Sequence, residues 1–199
     1  MNELYEKLKI RLKYASKIIF MGIGEEKLRD DGVGPYIIGE LLTHFNMENL
    51  LNKMILFINA GTDPMARVDE IVKFNPSHLI LLDTCTLSKP PGTIAILERE
   101  NISEFVPISS HTVPIHIVMD FIIKQTPMLD IFMIGFVPES LEGFENLQFY
   151  KADKISDDQM SENIDLPFFK INLTKKLEKA ALEVINIIKR LINDLIPKI

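Results

Sequence analysis

Apolar and polar positions along the chain fall into two rhythms that take turns. Short uninterrupted apolar runs predict buried strands over 17–23, at Met54-Ile55-Leu56-Phe57-Ile58, at His78-Leu79-Ile80-Leu81-Leu82-Asp83, at Thr93-Ile94-Ala95-Ile96-Leu97 and from Asp130 to Phe136. Between them the spacing changes to that of helices. Leu4, Leu8 and Leu12 stand four apart among Lys, Glu and Arg, which predicts an amphipathic helix over 3–14. A second helix is predicted over 35–46, with Pro35 tolerated in its first turn. Asp63-Pro64 reads as an N-cap followed by proline, opening a helix over roughly 64–74 that Asn75-Pro76-Ser77 closes. An apolar helix follows Pro114 and ends near Lys124. Thr174 caps a last helix reaching about Leu195, whose stripe is Leu177, Ala181, Val184, Ile188, Leu191 and Leu195. Residues 144–172 have mixed polarity and little periodicity, and they read as a long surface excursion.

Continuous apolar strands alternating with helices indicate a parallel sheet covered on both sides. The expected architecture is therefore α/β, a three-layer α/β/α sandwich around a mostly parallel five-stranded sheet, in a single domain over 1–199. A chain of 199 residues, 47% hydrophobic and 25% charged, has material for a sizeable core. Its net charge of −6, without a basic stretch, argues against a nucleic-acid partner. One cysteine, Cys85, excludes an internal disulfide and any multi-cysteine metal site. The charged start, Met1 to Lys7, is not that of a signal peptide. No apolar run approaches the ~20 residues of a membrane span. The expected setting is the cytoplasm, with no membrane partner.

In parallel sheets ligands gather at the carboxyl ends of strands, where strand order reverses. That rule selects the glycine-rich turn Gly22 to Pro35, which holds four glycines in thirteen residues and the pair Asp30-Asp31. Adjacent carboxylates repel a phosphate, and no P-loop lysine pattern is present. A cation or a proton-transfer task suits this turn better. Asp83 ends an apolar run, where a buried carboxylate demands a partner or a cation. His111, between Ser110 and Thr112 and just before a helix, faces the same edge on this topology. Each has a plainer reading. Asp31-Gly32 is also a common turn pair, Asp83 also serves as an acceptor fixing the next loop, and a loop histidine also serves as a brace. Asp30 reads as a supporting neighbour or a helix-start charge. His116 is the rival imidazole, while His44 and His78 look ordinary. Two carboxylates and an imidazole suit a borderline divalent metal with open positions. Cys85 lacks an adjacent base, and Ser109 and Ser110 lack a nucleophile elbow, so neither reads as a nucleophile.

Five segments occur in order: Gly24 through Asp30-Asp31-Gly32-Val33-Gly34-Pro35, Leu81-Leu82-Asp83, Pro91-Gly92-Thr93, Ser110-His111-Thr112-Val113-Pro114, and Gly135-Phe136-Val137-Pro138. Together they resemble the maturation endopeptidases of nickel–iron hydrogenases, especially the formate-hydrogenlyase type, over roughly residues 17–142 and the last helix. The resemblance implies an α/β/α fold of phosphorylase/hydrolase-like form. It implies removal of a C-terminal peptide from the hydrogenase large-subunit precursor after nickel insertion. It places the metal contacts on Asp31, Asp83 and His111, with Asp31 and Asp83 the candidate catalytic carboxylates; the alternative is that the three residues only read the nickel and hydrolysis follows from strain and positioning. The nickel is presented by the precursor, and no organic cofactor is implied. One departure stands out: the family usually has asparagine where this chain has Glu25. A non-catalytic nickel-binding assembly chaperone would use the same three residues, and a zinc hydrolase of small peptides is a third reading.

Overall fold

A computed structural model describes residues 2–45, 50, 54–105, 113–141 and 172–195. The predicted strands are all present: β1 (Ile18–Ile23), β2 (Ile55–Gly61), β3 (His78–Thr84), β4 (Ile94–Glu98) and β5 (Asp130–Phe136). They form one sheet in the order β2-β1-β3-β5-β4. β1 pairs in parallel with β2 and with β3, and β3 with β5, whereas β4 runs antiparallel along β5. The sheet is thus mostly parallel with one reversed edge strand.

The helices are α1 (Asn2–Arg11), α2 (Val33–His44), α3 (Val68–Phe74), α4 (Arg99–Phe105), α5 (Ile115–Gln125) and α6 (Lys175–Leu195). Successive strand residues point to opposite faces, and the two cores divide accordingly. Ile18, Phe20, Ile55, Phe57, Ile80, Leu82, Phe132 and Ile134 pack under α1, α2 and α6. Ile19, Met21, Leu56, Ile58, Leu79, Leu81 and Met133 pack under α3, α4 and α5. Three layers result. Each fully buried Ile or Leu contributes about 1.5–3 kcal/mol of transfer free energy, which favours this two-sided burial over any arrangement that wets one face.

The structure adjusts several sequence expectations. The helix predicted from Pro64 opens as a 3-10 turn, Pro64–Arg67, with the Asp63 side chain accepting from the Ala66 N–H at 3.2 Å. Asn75 then ends α3 in the left-handed conformation, φ 52°. β2 runs past Ile58 to Gly61, because its pairing with β1 continues to Ile23 after a register shift at Gly22/Ile23. Helix α4 was not expected. The excursion over 144–172 lies outside the described residues but for Asn172.

At the amino ends of the strands, Arg11 joins α1 to the sheet. Its guanidinium donates to both Asp130 oxygens, at 2.8 and 2.6 Å, and to both Glu98 oxygens, at 2.7 and 3.0 Å. It also stacks on Phe132, 3.8 Å from the ring centroid. The Arg11 hydrogen bonds, opposed by partial burial, hold the Asp130 carboxyl below its ordinary value of 3.8. His78, an ordinary histidine by sequence, sits beside Asp130 at 3.6 Å, and burial pushes its pKa down.

Candidate functional site

Strand order reverses between β1 and β3: the chain leaves β1 for β2 on one side and returns to β3 on the other. The crevice beyond the carboxyl ends of these two strands is where ligands bind in such sheets. Both sequence-selected carboxylates come from this edge of the sheet. Asp31 is on the loop leaving β1, and Asp83 is the sixth residue of β3, one position beyond the Gly22–Leu82 pair that joins the two strands.

The loop is built around backbone contacts that leave no room for side chains. Gly24 has φ +127°, and a Cβ there would meet the Asp31 carbonyl oxygen at 1.9 Å. At Gly34, in the first turn of α2, a Cβ would lie 2.2 Å from the Leu82 oxygen and 2.5 Å from the Ile23 oxygen. These two positions press the loop and α2 onto the ends of β1 and β3. Between them a single 3-10 turn, Arg29–Gly32, carries both aspartates and begins at Arg29 with φ 54°. A non-glycine residue in that region costs about 1 kcal/mol or more and persists where its surroundings fix it.

The aspartates are buried in unequal ways. Asp31 is 3% exposed and its Oδ2 accepts from the Glu25 N–H at 2.7 Å. Glu25 thus serves Asp31 through its backbone, while its own carboxylate accepts from the Lys27 N–H at 3.1 Å. The departure from asparagine at this position therefore leaves the backbone contact to Asp31 intact. Asp83 is 1% exposed, and its Oδ1 accepts from the Thr84 N–H at 2.6 Å. The N–H contact read as the plainer role of Asp83 is present. Asp30 is fully buried and holds segments distant in sequence: its carboxylate accepts from Glu139, Ser140 and Thr174. It does meet a helix start, that of α6, which no local pattern around Asp30 could reveal.

An open cleft of about 440 Å³ borders the loop, lined in part by Gly24, Glu25, Asn59, Gly61 and Thr62 at the ends of β1 and β2. His111 lies outside the described residues, as do Ser109 and Ser110. His116 is on α5, partly exposed. Among the described residues no three His, Cys, Asp or Glu side chains group as a metal site. Cys85 is 3% exposed and packs beside Gly135, and burial with the nearby Asp83 charge pushes its thiol up to about 12. Such a thiol is protonated at neutral pH and is no nucleophile.

The fold and this edge define an α/β sandwich with one buried carboxylate on the loop after β1 and another at the end of β3. The model of the hydrogenase maturation protease family matches residues 35–150, so the chain belongs to that family. A Methanocaldococcus jannaschii chain that carries the hydrogenase maturation protease name is 31% identical over 139 residues, covering 69% of this chain and 81% of that one. The hydrogenase 3 maturation protease of Escherichia coli K12 is 24% identical over 102 residues, 51% of this chain and 62% of its own. In structure, the chain resembles the HycI [NiFe] hydrogenase maturation protease of Thermococcus kodakarensis with TM-score 0.70 at 20% identity, over 94% of this chain and 99% of that one. This last likeness carries the fold. Among the described residues no helix is long and apolar enough to cross a membrane.

Proposed function

We propose that this chain is the endopeptidase that trims a C-terminal peptide from a nickel–iron hydrogenase large-subunit precursor after nickel insertion, in the cytoplasm. One observation supports the reading most: in a maturation-protease chain, two carboxylates buried to within 3% stand at the ends of the strands flanking the switch point. Each already accepts a backbone N–H, and two carboxylates presented from one edge of the sheet suit a divalent cation. In this reading the cation is the nickel of the precursor, which makes it part of the substrate. Asp31 and Asp83 meet it from β1 and β3, and His111 is the third contact.

Hydrolysis needs a deprotonated water and stabilisation of the oxyanion that forms on the scissile carbonyl. In this reading Asp31 or Asp83 accepts the proton of that water. Backbone N–H groups of Glu25 and Thr84 orient one oxygen of each, at 2.7 and 2.6 Å. The 440 Å³ cleft beside Gly24 has room for part of an extended peptide segment.

The test is to mix the chain with nickel-loaded and with nickel-free large-subunit precursor and follow gel mobility. Shortening of the loaded precursor alone is the expected result. Equal shortening of both removes nickel from recognition, and stable binding without shortening makes the chain an assembly chaperone instead.

A further inference from the structure

Asp30 has no part in this chemistry, yet it is the most deeply buried carboxylate near it, with 0% exposure. Its Oδ2 accepts from the Glu139 N–H at 2.8 Å, the Ser140 N–H at 3.0 Å and the Thr174 hydroxyl at 3.0 Å. Its Oδ1 accepts from the Thr174 N–H at 2.7 Å. Three of the four donors are main-chain groups, whose directions are fixed by their own backbone. They come from two places: the segment that follows β5, and the residue that opens α6. Thr174 is further committed to the helix, since its hydroxyl also accepts from the Leu177 N–H at 3.4 Å.

Asp30 and Asp31 are consecutive in a four-residue 3-10 turn. With one carboxylate held from outside the loop on both oxygens, the turn cannot rotate or slide without breaking charge-assisted hydrogen bonds. The direction in which the next residue leaves the backbone is fixed with it. Asp31 then reaches back across the loop to the Glu25 N–H at 2.7 Å, the contact by which its placement can be read.

We infer that Asp30 is a positioning residue, which ties the β1 loop to Glu139, Ser140 and Thr174 and thereby holds the Asp31 carboxylate in its working orientation. The inference rests on the proposed role of Asp31. It assigns the two adjacent aspartates different tasks: one faces the substrate, the other fixes the first.

Asp30→Asn is the informative variant, because it keeps the size of the side chain while turning one acceptor into an N–H donor that faces N–H groups. It is compared with Leu12→Ala, a fully buried position just past the end of α1 that lowers stability without touching the loop. Two readouts are taken below each variant's own melting range. The first is amide hydrogen exchange at Glu25: Asp30→Asn speeds it at least tenfold relative to Leu12→Ala, while the Ile37 and Ile38 amides of α2 exchange alike in both. The second is cleavage of nickel-loaded precursor: kcat falls at least tenfold in Asp30→Asn with KM within twofold, and Leu12→Ala keeps kcat within twofold. Equal Glu25 exchange in the two variants, or wild-type kcat in Asp30→Asn, overturns the inference. Should Asp30→Asn fail to fold, Thr174→Val removes one donor and leaves the carboxylate. It is expected to raise Glu25 exchange several-fold, and unchanged exchange there counts against the inference. Asp31→Asn separates the two claims. Wild-type cleavage by it sinks the role of Asp31, whereas loss of cleavage by it beside wild-type kcat in Asp30→Asn sinks only the positioning role.

Discussion

At the amino edge of the sheet, Asp130 meets the guanidinium of Arg11 through two hydrogen bonds, with Glu98 completing the fork on the other side. At the carboxyl edge, Asp30 is buried more deeply, yet its four hydrogen bonds come from backbone N–H groups and a hydroxyl. Asp31 and Asp83 likewise receive backbone N–H groups, from Glu25 and Thr84. The difference lies in what holds each carboxylate, a counter-charge or backbone dipoles. A carboxylate locked in a bidentate pair with arginine has its field neutralised at close range and offers little to a ligand. Backbone dipoles stabilise a carboxylate and fix its direction without adding a counter-charge of their own. The first edge fastens a helix to the sheet. The second fixes the direction of carboxylates on the loop after β1 and at the end of β3.

Substitutions at the two edges should therefore part company. The largest effect is expected for Asp83→Asn, which retains the shape of the site. Precursor cleavage should fall by about 10²–10⁴-fold, the range typical of losing a positioned acid or base, and the melting temperature should hold within a few degrees. Next comes Asp30→Ala. It leaves one buried and two partly buried N–H groups without their acceptor, and urea unfolding should show a loss of about 3–5 kcal/mol. Arg11→Ala is smaller, at about 1–3 kcal/mol by the same measurement, and the surviving folded protein should cleave precursor at the wild-type rate. A large loss of cleavage in Arg11→Ala would erase the contrast between the edges.

The smallest effect concerns acid. Arg11 holds the Asp130 carboxyl below 3.8, so this group adds stability that is present above its ordinary pKa and lost as pH falls through the lower folded value. Asp130→Asn never has that contribution. Its stability should drop less than that of the wild type between roughly pH 5 and 3, by under ~1 kcal/mol given the partial exposure of the pair. A steeper fall in the variant would contradict the pairing.

Much of the fold was legible in the chain itself, but this contrast was not. Strand runs such as Leu79-Ile80-Leu81-Leu82 are apolar on both faces, and that pattern alone predicts a covered parallel sheet. Asp83 was conspicuous because it ends such a run, and Asp31 because four glycines surround it. What escaped depends on contacts distant in sequence. Arg99–Phe105 forms a helix although its seven residues carry little periodicity, with Ile102 buried against the sheet. β2 continues through Asn59 and Gly61, residues that look like a stop, because β1 pairs with them. The partners of Asp30 lie 109 to 144 residues away, beyond the reach of any local motif. Arg11 looked like one more charge on an amphipathic surface helix, and only the antiparallel course of β4 brings Glu98 to it. The third residue of the candidate site, His111, falls outside the described residues, so the geometry rests on the two aspartates.

The most direct test of the central claim is intact-mass spectrometry of the nickel-loaded precursor after incubation with the wild-type chain or with Asp31→Asn. The account predicts that the precursor loses its C-terminal peptide with the wild type and keeps its full mass with a folded Asp31→Asn over the same time. Shortening at the wild-type rate by Asp31→Asn would contradict it.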